Sequence, residues 1–131
     1  QIEIESLQTF TNFAQRVEQS KHEIIQMLEA FKSQGKRVSA LGASTKGNVV
    51  LQYCGINTEL IDQVGDVNPD KFGCYTPGSW IPIKSETEVL DSAPDALIVL
   101  PWHFRQFFVE RANFLGRRLI FPLPKLEIVQ L

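Results

Sequence analysis

Cysteine is scarce in this sequence, and its spacing does not match a metal site. The 131 residues include only Cys54 and Cys74, which do not form a CxxC pair. The two histidines, His22 and His103, are far from both cysteines in sequence. A structural zinc site needs four such ligands at characteristic spacings. We therefore expect no bound metal, and two reduced cysteines typical of a cytoplasmic protein.

Clustered basic charge and long apolar runs are also missing. The formal net charge is −2, and the densest basic clusters are the pairs Lys36-Arg37 and Arg117-Arg118. Nucleic-acid binding needs a clustered basic surface, and a membrane span needs an apolar run of about 18 residues. We expect neither as a partner. The chain shows no signal peptide and begins with Gln1 rather than Met, so we expect a piece of a longer chain.

The first 35 residues predict a long amphipathic helix. Its apolar residues recur at helical spacing, and Gly35 is a plausible stop. The residues that set this period are Phe10, Phe13, Val17, Ile24, Leu28 and Phe31.

From residue 36 to 131, short apolar runs alternate with helical segments. This pattern predicts one α/β domain, a Rossmann-like three-layer sandwich with a mainly parallel sheet. The predicted strands are 37–41, 60–65, 96–100, 118–121 and 126–129, with a short extended piece at 80–83. The predicted helices are 47–54, 86–91 and 104–115. For the last helix we expect core packing by Phe104, Phe107, Phe108, Ala112 and Leu115.

Three polar loops follow strands of the predicted sheet, at 42–48, 66–71 and 101–103. In an open parallel sheet, ligands bind outside the carboxyl ends of the strands. The convergence of these loops therefore predicts a ligand site at that edge.

The first loop resembles a phosphate-binding turn without completing a known motif. Gly42 and Gly47 occupy the outer glycine positions of a dinucleotide fingerprint, but Ser44 replaces the middle glycine. A Walker A motif would need Lys and Ser or Thr where Asn48-Val49 stand, so magnesium-dependent triphosphate hydrolysis is not expected. Two interpretations remain. Either Ser44, Thr45 and Lys46 help a helix N-terminus to bind phosphate, or Ser44 or Thr45 simply caps the helix.

The other loops offer weaker candidates. Asp66 stands where dinucleotide-binding domains place an acid for ribose, although an Asp before Asn68-Pro69 also forms turns. Lys71 is expected to pair with Asp66 or Asp70, or to contact a second phosphate. His103 is a candidate for proton transfer or for a sugar contact, and also for a purely structural role.

Five ordered segments together resemble the C-terminal domain of S-adenosylmethionine-dependent sugar C-methyltransferases. The similarity runs from about Lys36 to Phe121. The segments are GASTKGN at 42–48, LQYC at 51–54, NPDKFG at 68–73, YTPG at 75–78 with IPI at 81–83, and LPWHF at 100–104.

This resemblance implies a three-part enzyme acting on a nucleotide-diphosphate-linked 4-keto-deoxysugar. The cofactor S-adenosylmethionine would bind a central methyltransferase domain in the same longer chain. No acidic-Gly-x-Gly-x-Gly motif for it occurs here, so this part alone is expected to bind no cofactor and to be inactive. The resemblance places the diphosphate at Gly42, Ser44, Thr45, Lys46, Gly47 and Asn48, the nucleoside at Asp66, Asn68 and Lys71, Tyr75 in the cleft wall, and His103 towards the sugar or the central domain.

Two other interpretations remain open. One is a stand-alone module that binds a dinucleotide or coenzyme A without catalysis. The other is a domain that has lost ligand binding and only packs against a methyltransferase domain.

The sequence yields one direct test at Lys46. We expect Lys46→Ala to weaken diphosphate binding by roughly 1–2 kcal/mol, the scale of a charge-assisted hydrogen bond. Isothermal titration with a nucleoside diphosphate measures this, and an unchanged affinity would count against the assignment.

Overall fold

A computed structural model describes residues 2–131, and the side chains of residues 15–131 apart from Val17. The first helix, α1, spans Ile2–Ser33, which confirms the predicted leading helix. Gly35 adopts a φ of 72° just beyond its end, and the amide of Lys36 closes the turn on the carbonyl of Phe31. The predicted packing of Phe10, Phe13 and Val17 lies outside the described side chains.

The sheet has six strands in the order β3-β2-β1-β4-β5-β6. The strands are β1 Val38–Leu41, β2 Val64–Asp66, β3 Ile83–Ser85, β4 Ala96–Val99, β5 Arg118–Phe121 and β6 Glu127–Gln130. The first five are parallel, and β6 runs antiparallel beside β5. This is the order of a Rossmann fold, so the predicted Rossmann-like, mainly parallel sheet is confirmed.

Helices cover both faces of the sheet. The remaining α-helices are α2 Thr45–Cys54, α3 Glu86–Asp91 and α4 Arg105–Glu110. One apolar cluster joins α1 and α2 to one face, and includes Ile24, Leu28, Leu51 and Ile98. A second cluster joins α3 and α4 to the other face through Val89, Leu97, Phe108, Phe114 and Phe121. The predicted three layers are therefore present.

The predicted helix over 104–115 is wrong in its second half. Helix α4 ends at Glu110, because Arg111 is extended (φ −77°, ψ 126°), and a 3₁₀ turn follows at Ala112–Phe114. The break moves Phe114 into the core, where its ring stacks on that of Phe108 at 5.7 Å between centroids.

The predicted core packing of this segment is also wrong, except at Phe108. Phe104 and Phe107 are 57% and 58% exposed, and Leu115 is 68% exposed. Ala112 is exposed as well. The helical spacing of these residues predicted one buried face, but the chain changes direction at Arg111 and the continuous helix that would carry that face does not form.

Two extended segments are shifted from their predicted positions. The strand predicted over 60–65 is reduced to β2, because the amides of Leu60 and Ile61 both bond to the carbonyl of Asn57 in a turn. The piece predicted over 80–83 begins only at Ile83, since Trp80 adopts a left-handed φ of 56°.

Gly47 fixes how closely α2 approaches the sheet. A Cβ atom added there would lie 2.4 Å from the Cβ of Leu100, which follows β4. Such a contact leaves no room for a methyl group, so this glycine is required by packing.

We expect Gly47→Ala to lower the free energy of unfolding by about 1–3 kcal/mol, the usual cost of overpacking a core. Urea denaturation measures it. The matched control is Val49→Ala on the exposed side of the same helix, which should stay within about 0.5 kcal/mol of the parent. Equal effects of the two changes would contradict the packing role.

Candidate functional site

A cleft of about 510 Å³ opens at the carboxyl edge of the sheet. It lies where the turn after β1 meets the loops after β2 and β4, the position at which α/β sheets bind ligands. Its lining comprises Gly42, Ala43, Ser44, Gly65, Asp66, Val67, Lys71, Glu86, Pro101, Phe104, Phe107, Phe108 and Arg111. The three loops that the sequence singled out therefore do converge, although not every residue in them faces the cleft.

The turn after β1 is shaped by one glycine and one cap. Gly42 has a φ of 81°, and a Cβ there would lie 2.5 Å from Cδ of Pro101. Ser44 is extended (φ −92°, ψ 159°), and its Oγ accepts a hydrogen bond of 3.0 Å from the amide of Gly47. Ser44 is thus the N-cap of α2, as one of the two sequence interpretations required.

Most amides of this turn already have partners in the protein. Those of Gly42 and Ser44 donate to carbonyls at 2.7 Å and 2.9 Å, and that of Asn48 donates within the helix. Within the described part of the chain, the amides of Thr45 and Lys46 have no hydrogen-bond acceptor. They belong to the first turn of α2, where amides have no intrahelical partner and the helix dipole favours an anion.

Asp66 ties the loops after β1 and β2 together. It is only 8% exposed, and its two carboxylate oxygens accept bonds of 2.8 Å from the amides of Ala43 and Asn68. Asn68 in turn accepts from the amide of Asp70. Asp66 therefore links the loop after β2 to the turn after β1. We call residues 42–47 the glycine turn, and the link that Asp66 makes to it the brace.

Lys71 reinforces this brace. Its Nζ lies 3.9 Å from the Asp66 carboxylate and donates a bond of 2.8 Å to the carbonyl of Ala43. Of the pairings considered for Lys71, the structure shows the one with Asp66. The buried acid is thereby partly neutralised, which lowers the cost of placing an anion nearby.

The side chain of Lys46 faces a different hollow from the cleft. This second hollow, of about 380 Å³, lies between α1 and α2. Lys46 and Lys21 border it, together with Tyr53 and Trp102. Hence the Lys46 side chain borders the second hollow and not the cleft that contains Ser44 and Asp66.

Two further candidates lie away from the cleft lining. His103 is exposed in a 3₁₀ turn, between the rings of Trp102 and Phe104 at centroid distances of 6.0 Å and 4.2 Å. Tyr75 is exposed beside Trp80, on the loop that bridges to Pro82 before β3. Neither side chain lines the cleft that contains Ser44 and Asp66.

Asn48 has an unusual environment. Its Oδ1 is buried and, among the described residues, has no hydrogen-bond partner. Buried polar atoms are normally paired, so this atom is an exception among the described residues.

Sequence reasoning missed an ion pair at the floor of the cleft. Arg111 binds Glu86 through two contacts of 2.6 Å and 3.2 Å, and Asn113 donates to the same carboxylate at 3.0 Å. The guanidinium also lies over the rings of Phe107 and Phe114, at 5.3 Å and 4.7 Å. Glu86 directly follows β3 at the same sheet edge, and this position could have identified it as a candidate from the sequence.

Among the described residues, the groups with shifted pKa values are Cys54 and Tyr53, which line the second hollow, and Glu18, which bonds to Tyr53. Burial raises the pKa of the Cys54 thiol, which favours its unreactive protonated form. The hydroxyl of Tyr53 donates to Glu18, which raises the pKa of Tyr53 and lowers that of Glu18. Both cysteines are free. In the described residues there is no cluster of three His, Cys, Asp or Glu side chains suited to a metal ion.

A family model described as the C-methyltransferase C-terminal domain matches residues 1–124. The chain belongs to this family. Among curated proteins it is similar to the C-methyltransferase NovU of Streptomyces niveus, with 31% identity over 123 residues. The aligned region is 92% of this chain but 29% of that relative, so the chain spans less than a third of the relative's length.

This family membership confirms the resemblance drawn from the five segments. It favours a part of a C-methyltransferase over a stand-alone dinucleotide or coenzyme A module. No helix in residues 2–131 combines the length and apolar character needed to cross a bilayer.

We expect Asp66→Asn to lower the free energy of unfolding by about 1–3 kcal/mol. The new amide group can accept from only one of the two backbone donors, and its NH₂ group would face the other. Urea denaturation measures the loss, with Asp70→Asn on the exposed neighbouring turn as the matched control. A loss no larger than that of the control would show that the brace is dispensable.

Proposed function

We propose that this chain is the substrate-binding domain of a cytoplasmic S-adenosylmethionine-dependent C-methyltransferase. Its substrate is a keto-deoxysugar linked to a nucleoside diphosphate. The observation that carries the proposal is the pair of open amides at Thr45 and Lys46, which directly follow the cleft-lining residues Gly42, Ala43 and Ser44 in a member of this family. The domain holds the nucleotide and leaves the sugar to the methyltransferase part.

The diphosphate fits the first turn of α2 on electrostatic grounds. Helix N-termini bind anions through free amides and a dipole equivalent to about half a positive charge. The Thr45 hydroxyl adds a donor, and a rotation of the Lys46 side chain about the helix end would bring a full charge. Gly47 and Asn48 support this turn. The Gly47 amide donates to the Ser44 hydroxyl and Gly47 packs on Leu100, while the Asn48 amide donates to the Ser44 carbonyl.

The nucleoside lies along the loop after β2 in this proposal. Asp66, Asn68 and Lys71 form one hydrogen-bonded unit there, and each oxygen of Asp66 retains a lone pair beyond its backbone bond. The Lys71 ammonium has three protons, of which the carbonyl of Ala43 takes one. These groups suit the hydroxyls and the second phosphate of a nucleotide.

For His103 and Tyr75 we propose contacts outside the cleft. Both are exposed, so they are free to contact the sugar or the methyltransferase part of a longer chain. His103 lies beyond β4 at the edge where the sugar leaves the cleft, and we keep it as the candidate for proton transfer.

The methyl donor does not fit this domain. The one glycine turn at the sheet edge has Ser44 at its middle position, and Gly42 is packed against Pro101. We therefore assign S-adenosylmethionine to the other part of the enzyme and place no step of the methyl transfer on these residues.

Thr45→Pro tests the proposal by removing one amide proton. Thr45 is the first residue of α2, a position where proline is well tolerated, and Ser44 already has the extended backbone that must precede proline. We expect unchanged thermal stability. A hydrogen bond to a charged group contributes about 1.5–3 kcal/mol, so nucleoside diphosphate affinity should fall by that amount in isothermal titration.

The matched control is Thr45→Ala, which keeps the amide and removes only the hydroxyl. It should lose less affinity than Thr45→Pro, because it removes only the hydroxyl donor and keeps the amide. If Thr45→Pro binds like the parent, or if the parent binds no nucleoside diphosphate, the proposed diphosphate site is wrong.

A further inference from the structure

The wall of the cleft after β4 is aromatic and exposed. Phe104 and Phe107 stand on it with more than half of each side chain accessible. Val67 faces the same cleft from the loop after β2 and is 70% exposed. Apolar side chains of this size are usually buried, so an exposed group around a concave site indicates a ligand or a partner surface.

The ring of Phe107 is held in place on one side. The guanidinium of Arg111 covers it at 5.3 Å, and the ring of Phe108 meets it edge-on at 5.5 Å. Arg111 is itself fixed by the bidentate pair with Glu86. The arrangement presents a positioned aromatic surface to the cleft.

The ion pair between Arg111 and Glu86 makes the floor of the cleft electrically neutral. Glu86 alone would repel a phosphate, but Arg111 neutralises it and Asn113 shares its carboxylate. What remains near Phe107 is an apolar surface without net charge. This suits an uncharged flat ring better than a phosphate or a sugar hydroxyl.

We propose that the wall formed by Phe104 and Phe107 binds the nucleobase of the substrate by stacking. The inference rests on the proposed function and specifies one half of its ligand. The turn that carries Thr45 and Lys46 continues into the cleft through Ser44, so we take one end of the ligand, the nucleoside or the sugar, to extend along the cleft. The sugar has to reach the methyl donor, which this domain does not hold, so the nucleoside is the end that stays.

The test compares the parent with Phe104→Leu, Phe107→Leu and the double variant. Each is titrated calorimetrically with thymidine diphosphate, uridine diphosphate and inorganic pyrophosphate. Base–aromatic stacking corresponds to a loss of about tenfold or more on removal of the ring. We expect that loss for both nucleoside diphosphates, and no change for pyrophosphate.

Leu115→Ala is the matched control, because Leu115 is an exposed apolar residue just after the 3₁₀ turn at Ala112–Phe114 and does not line the cleft. It should leave all three affinities unchanged. The single variant Phe104→Leu should fold like the parent, because Phe104 is outside the buried core. It therefore tests the wall even if the double variant misfolds.

Each outcome bears on the inference separately from the proposed function. If the parent binds nucleoside diphosphates and the double variant binds them equally well, the stacking wall is wrong and the diphosphate site stands. The stacking wall is also wrong if the parent binds pyrophosphate as tightly as the nucleotides. It is wrong as well if the variants lose as much affinity for pyrophosphate as for the nucleotides. An aromatic wall that serves only for packing against another domain would give unchanged nucleotide affinities. If the parent binds none of the three probes, the proposed function fails, and the inference fails with it.

Discussion

The carboxylate of Asp66 accepts hydrogen bonds from two backbone amides that belong to different loops, one after β1 and one after β2. It is buried, so losing either bond would leave a charged oxygen or an amide without a partner in a poorly solvated place. Lys71 completes the unit by bonding to the Ala43 carbonyl. The shape of the glycine turn, and with it the direction of the first amides of α2, depends on this brace.

The glycines of the turn have steric roles that are independent of any ligand. Gly42 allows Pro101 to lie against the turn, and Gly47 allows α2 to pack on Leu100. A glycine-bounded loop therefore does not by itself indicate phosphate binding in this fold. The stronger indication is the set of amides left without acceptors after the cap at Ser44 and the brace at Asp66 have used the others. The structure limits that set to Thr45 and Lys46 in the described part of the turn, whereas the resemblance pointed without distinction to six residues, Gly42, Ser44, Thr45, Lys46, Gly47 and Asn48.

The order of strands and helices followed from apolar periodicity, because fully buried parallel strands such as β4 form continuous apolar runs. The convergence of the three loops followed from the rule that parallel strands end at one edge. The exposure of Phe104 and Phe107 could not be predicted in this way, since helical spacing looks the same whether a helix continues or stops. The helix ends where Arg111 becomes extended and pairs with Glu86, a contact between residues far apart in sequence. The position of the Lys46 side chain at the hollow between α1 and α2 likewise depends on how these two helices pack.

Amide chemical shifts during a titration with nucleoside diphosphate, observed by ¹⁵N–¹H NMR on the whole chain, test the central claim most directly. The largest shifts should appear at the amides of Thr45 and Lys46, with the Ala43 amide changing little because Asp66 already holds it. Saturating shifts centred on the hollow between α1 and α2, or no shifts near the start of α2, would contradict the claim that this turn receives the diphosphate.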